Sequence, residues 1–164
     1  MSEVKVFTNR PMSPTLEEVV DGVSLLRGDL KGGMNIYFLR DGDGVVQFDA
    51  GTQGMSHAAQ VVGRKLGGVK RVVLGHGHCD HRGTAGAIDA PVHCHADEVA
   101  DTESDAAIPP YFDLSKIEVT PVRWIYPTLL RHWDGGAVKV ADTVSEGDEV
   151  AGSRCSTSRD TRPG

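Results

Sequence analysis

The chain has 164 residues, 39% of them hydrophobic and 24% charged, which suits one globular domain with a real core. A formal charge of -6 with a pI near 5.6, and no basic block, argues against nucleic acid as a partner, because neutralising phosphates takes clustered Lys and Arg. No apolar run approaches the roughly 20 residues of a membrane span, the opening MSEVKVFTNRP lacks a secretory pattern, and three cysteines without framework spacing fit free thiols in a reducing compartment, so the expected location is the cytoplasm.

Aromatics are only 5%, so Val, Leu, Ile and Ala are expected to build the core. Residues 22–28 (GVSLLRG) read as a short strand, and residues 34–40 (MNIYFLR) and 45–50 (VVQFDA) as stronger ones. The DGDG between the last two supplies glycines for the positive φ of a tight hairpin, so an antiparallel meander opens the chain. Residues 54–66 then place Met55, Ala58 or Ala59, Val62 and Leu66 at helical spacing, and a Gly-Gly pair ends the run. KRVVL, residues 70–74, is a compact strand. Strand, helix and strand make a βαβ unit in which residues 45–49 and 71–74 are parallel neighbours. Further on, the sequence predicts a short helix near Thr84, a short strand over 91–95 and a short acidic helix in ADEVADTES. Residues 108–127 read as irregular and Pro-punctuated, suited equally to a substrate lid and to plain packing. A helical turn at 128–133 and a strand at 137–140 follow, and the fold class is α/β.

The stretch GHGHCDHRG, residues 75–83, holds three of the seven histidines and an aspartate directly after an apolar strand. Ligands in open α/β sheets collect beyond the carboxyl ends of parallel strands, and two such ends occur here, at DAG (49–51) and at this cluster. In an extended loop, side chains two apart share a face, so His76 and His78 can reach one point. Gly75 and Gly77 allow the bend, and past it Asp80 and His81 can face a second point nearby. Imidazole and carboxylate bind zinc at about 2.0–2.2 Å and also suit iron. A catalytic metal brings the pKa of its bound water down toward about 7. Asp49 reads equally as a turn or cap residue and as a group orienting a ligand. His57 and His132, as isolated residues, read as structural or surface positions, His93 and His95 as one face of an edge strand, and Cys79 as a bystander.

HGHCDH matches the H-x-H-x-D-H signature of the metallo-β-lactamase superfamily, and the FDAGT turn and the PVHCHADE strand fall in that family's usual order. The chain thus resembles this superfamily over roughly residues 22–150, closest in flavour to the glyoxalase II-like hydrolases. The resemblance implies the N-terminal part of an αβ/βα sandwich with a site at its top edge. It implies that His76 and His78 bind a first metal, that Asp80 and His81 bind a second, and that Asp80 orients or deprotonates the attacking water. Zinc is the implied cofactor, as two ions in the complete site, with iron or manganese as substitutes. The implied activity is hydrolysis of an ester, thioester or lactone-type bond in a small-molecule substrate. The alternatives are an iron-dependent persulfide dioxygenase and a non-catalytic metal-binding fragment.

The family's later ligands, a histidine in a GHTPG-like turn, a bridging aspartate and a last histidine, have no counterpart here. Residues 1–152 therefore read as a partial domain and 153–164 (SRCSTSRDTRPG) as an aberrant, disordered tail. One back-translation of that tail, read in another frame, gives LEVLDLPGHTPG, so a frameshifted or truncated product is expected. The expected consequences are an uncovered sheet face with weak stability or aggregation, and a first metal short of its third ligand, with metal affinity and activity much below the family's norm or lost altogether.

Overall fold

The computed structural model describes residues 4–5, 15–28, 34–106 and 120–155. Among these, eight strands form one sheet in the order of the sequence, and two more make a separate hairpin. Strands β1 (Val4–Lys5), β2 (Thr15–Val20), β3 (Val23–Arg27), β4 (Asn35–Asp41) and β5 (Gly44–Phe48) pair antiparallel, as the meander requires. From β5 onward the sheet is parallel, through β6 (Val69–Leu74), β7 (Val92–His95) and β8 (Val140–Val144). Helix α1 (Ser56–Lys65) makes the crossover between β5 and β6, so the expected βαβ unit is present. Two parallel strands thereby end side by side, and their carboxyl ends form the top edge of the sheet.

Strand alternation gives the sheet two unlike faces. On one, Leu26, Ile36, Phe38 and Val45 are buried against Met55, Ala58, Ala59 and Val62. The same face continues with Val72, Leu74, Val92 and Cys94, packed against Ala85 and Val138. On the other, Val46 and Val73 meet Val150, which lies on β9 (Glu149–Val150) of the hairpin with β10 (Ser153–Arg154). A groove of about 320 Å³ remains there, lined by Leu39, Val46, Phe48, Val73, Val144 and Val150 among others. No helix among the described residues is long and apolar enough to cross a membrane.

Several readings change. Strand β2 was not foreseen, because TLEEVV does not alternate. The Asp21–Gly22 pair that turns it into β3 was the available hairpin signal. The short helix expected near Thr84 begins earlier, as α2 (Cys79–Arg82), with only a 3-10 turn at Ala85–Ala87. Strand β7 pairs on both sides, so His93 and His95 share a face of an interior strand, not of an edge strand. After the short helix α3 (Val99–Thr102), helix α4 runs from Thr120 to Trp133, through part of the segment read as irregular. Pro121 sits in its first turn, where the missing N–H has no partner to lose, and Pro127 removes one interior bond that the buried Leu130 anchor offsets. Residues 108–119 of the lid reading lie outside the described residues. Strand β8 lies at 140–144 instead of 137–140. The 152/153 boundary drawn for the tail passes through the β9–β10 hairpin, and residues 156–164 lie outside the described residues.

Candidate metal centre

The two carboxyl-end segments are stitched together by backbone bonds. Ala50 N–H donates to His81 O at 2.7 Å, Thr84 N–H to Ala50 O at 3.1 Å, and Gly83 N–H to Gly51 O at 2.8 Å. The DAG turn after β5 and the histidine cluster after β6 are therefore one structural unit. Within it, residues 75–78 are extended or bent and Asp80 and His81 lie on α2, whose N-cap position is His78. Gly77 sits against α3, where a Cβ would come within 2.6 Å of Thr102 N, and its own N–H donates to Glu98 Oε2 at 3.0 Å. That contact requires glycine between the first two histidines.

His76, Asp80 and His81 each bring one donor atom to within 4.8 Å of the other two. The His81 Nε2 to Asp80 Oδ2 distance is 3.9 Å, and the His76 and His81 rings have centroids 3.8 Å apart at 42°. Donors sharing a zinc at about 2.0–2.2 Å stand about 3.4 Å apart in a tetrahedron, so a small inward turn would close the triad on an ion. Two imidazoles and a carboxylate are a donor set that zinc accepts, and the residues fit such an ion. His78 is not part of this triad; its ring lies edge-on to His76, centroid to centroid 4.5 Å. The structure thus groups His76 with Asp80 and His81 and sets His78 beside them.

Asp49 occupies the joint between the two strand ends. Its φ of +59° is left-handed, a region that aspartate tolerates better than most side chains. The backbone stays tied to the sheet, since Asp49 N–H donates to Val73 O at 2.8 Å. This twist aims the carboxylate into the cluster. Its Oδ1 accepts from Gly75 N–H at 2.8 Å and its Oδ2 lies 2.9 Å from His81 Nδ1. With Nδ1–H donated to Asp49, the His81 Nε2 lone pair is left for a cation, the carboxylate–histidine arrangement of metal sites. Asp49 thus holds the Gly75 turn with one carboxylate oxygen and the His81 ring with the other.

Electrostatics separate the three side chains. Burial lowers the His76 pKa, and the neighbouring His81 and His78 lower it further, so its imidazole is neutral and able to donate a lone pair. Burial also opposes the His81 cation, but the hydrogen bond to Asp49 and the charges of Asp49 and Asp80 outweigh it and raise the pKa. Burial, with Asp80 and Asp134 nearby, pushes the Cys79 thiol up to about 11, which leaves it protonated and without nucleophilic character at neutral pH. His57 and His132 are exposed, on α1 and α4, and neither belongs to the triad. Sequence reasoning missed Glu98 and Asp134, which touch the cluster or its turn from distant positions, and Arg82, the residue after His81 that pairs with Asp134.

The sequence profile of the metallo-beta-lactamase superfamily matches residues 31–148. No curated protein sequence matches. Among solved structures, BJP-1, a subclass B3 metallo-beta-lactamase of Bradyrhizobium japonicum, superimposes with a TM-score of 0.56 at 21% identity, over 82% of this chain and 47% of that one. MIM-1 from Novosphingobium pentaromativorans gives a TM-score of 0.58 at 21% identity, over 84% and 46%. A Cronobacter sakazakii metallo-beta-lactamase with a HARLDQ motif gives 0.57 at 14% identity, over 81% and 47%. The chain spans just under half the length of these structures, and at such identities the likeness is one of fold. With the profile covering most of the sequence and the sheet, crossover and histidine turn in the matching order, the chain belongs to the metallo-beta-lactamase superfamily.

Proposed function

We propose that the chain is a metal-dependent hydrolase, with zinc as its ion and an ester, thioester or lactone-type bond in a small molecule as its target. The observation that carries this reading is the convergence of His76, Asp80 and His81 on one point at the carboxyl ends of β5 and β6. His76, Asp80 and His81 would hold the ion, and in the two-ion arrangement that the resemblance implies His78 would join His76. Zinc supplies Lewis-acid activation of water and of the substrate carbonyl at neutral pH. Asp49 holds the His81 ring by Nδ1 and so fixes which nitrogen is offered. The Asp80 carboxylate would take the proton released by the attacking water. Cys79 stays a thiol and takes no covalent part.

A panel of thioesters, lactones, esters and a β-lactam tests this directly. Turnover is expected to vanish on chelation, to return with added zinc and to fall at least about a hundredfold in Asp80→Asn, as expected for a lost general base. Hydrolysis indifferent to the chelator and to Asp80→Asn would refute the reading.

A further inference from the structure

Arg82 follows the ligand cluster directly and is fully buried, at 0% exposure. All three of its nitrogens donate. Nε and Nη2 grip the two oxygens of Asp134 as a fork, each at 3.1 Å, and that carboxylate is itself only 7% exposed. Nη1 donates to the carbonyls of Asp101, Thr102 and Ser104 at 2.5, 3.0 and 2.7 Å, and Nη2 also reaches Ala106 O at 3.4 Å. Around this hub the backbones touch. A Cβ on Gly83 would stand 2.5 Å from Trp133 O, and one on Gly135 would stand 2.2 Å from Gly83 O.

A buried ion pair is a poor way to gain stability, since apolar side chains of the same volume do as well or better. What a guanidinium fork adds is direction: a planar group with five donors fixes the segments it joins in one orientation. The segment in question needs fixing. Helix α2 has four residues, too few to hold its own geometry, and it carries both Asp80 and His81. It is tied to its N-cap residue by the N–H groups of His81 and Arg82, which both donate to His78 O at 2.9 Å.

We propose that Arg82 is a positioning residue for the metal donors. Through Asp134 at the end of α4 and the carbonyls of 101–106 it anchors the far end of α2, while Asp49 holds the His81 ring from the near side. Asp80 and His81 are thereby aimed before an ion arrives. This rests on the reading of the cluster as a metal site, and the experiment separates the two.

Cobalt(II) is titrated into the full 164-residue chain as wild type, Arg82→Lys, Asp134→Asn and Asp80→Ala, following the visible ligand-field bands, after circular dichroism of each apo-protein. If wild type binds cobalt no better than Asp80→Ala, the metal reading itself fails. If wild type binds, the folded Arg82→Lys and Asp134→Asn proteins are expected to bind about tenfold or more weakly, with altered bands. Lysine is not expected to rescue, because it lacks the fork. Wild-type affinity and wild-type bands in either folded variant would overturn the proposal. Hydrogen exchange in apo wild type gives a second test that needs no variant. The amides of His81 and Arg82 should exchange as slowly as those of β6, and exchange at the rate of an unstructured loop would overturn the proposal.

Discussion

The two faces of the sheet are built from the same strands and end up unlike. On the α1 side, Phe38 is 1% exposed and Ile36 and Leu26 are fully buried. On the hairpin side, Phe48, on the neighbouring strand, is 38% exposed and Tyr37, its cross-strand partner, 37%. Helix α1 seals the first face; the short β9–β10 hairpin covers part of the second and leaves the groove beside Val46 and Val73. The difference shows how the period of a strand can specify both faces as apolar while the elements that cover them differ. The site lies at the end of the sheet where both faces meet, with Asp49 at the joint.

The sharpest way to break this contrast is to truncate the same residue type on each face. Phe38→Ala should lose about 3–5 kcal/mol in urea unfolding, the cost of a cavity in a sealed core. Its counterpart Phe48→Ala should lose about 1 kcal/mol, because water already reaches the site and no cavity is trapped. Equal losses would mean that the two faces are equally closed. At the joint, Asp49→Asn removes the charged acceptor for His81 Nδ1, and cobalt or zinc affinity should fall about 10–100-fold with the fold retained, measured by competition with a chromophoric chelator. A smaller effect distinguishes the faces by chemistry. Cys94 and Cys79 are buried, whereas Cys155 packs beside the groove and is partly exposed. With the Cys79 pKa raised to about 11, only about a thousandth of it is thiolate at pH 8. Iodoacetamide should therefore label Cys155 first and leave Cys79 and Cys94 until the chain unfolds, as read by peptide mass mapping.

Much of this was legible in the sequence because it is local. The apolar runs of β4 and β5 around the DGDG turn, the helical spacing of Met55, Ala58 and Val62, and the H-x-H-x-D-H spacing are all written within a dozen or so residues, and they fix the meander, the crossover and the turn. What escaped depends on distance. β2 packs loosely at the exposed end of the meander and lacks alternation, so only its Asp-Gly turn could have signalled it. The Pro127 signal for a break in α4 was overridden by tertiary packing of Leu130. Arg82 and Asp134 are 52 residues apart, and nothing in either neighbourhood names the other as a partner. The grouping of His76 with Asp80 and His81 depends on how α2 curls back, which an extended reading of the loop could not supply.

The central claim is that His76, Asp80 and His81 converge on one cation. Anomalous scattering at the zinc edge, from crystals of the full chain grown with zinc, tests it most directly. The account predicts a peak about 2.0–2.2 Å from a ring nitrogen of His76, a carboxylate oxygen of Asp80 and Nε2 of His81. A zinc-loaded crystal with no peak among those three side chains, or with their donors turned apart, would contradict it.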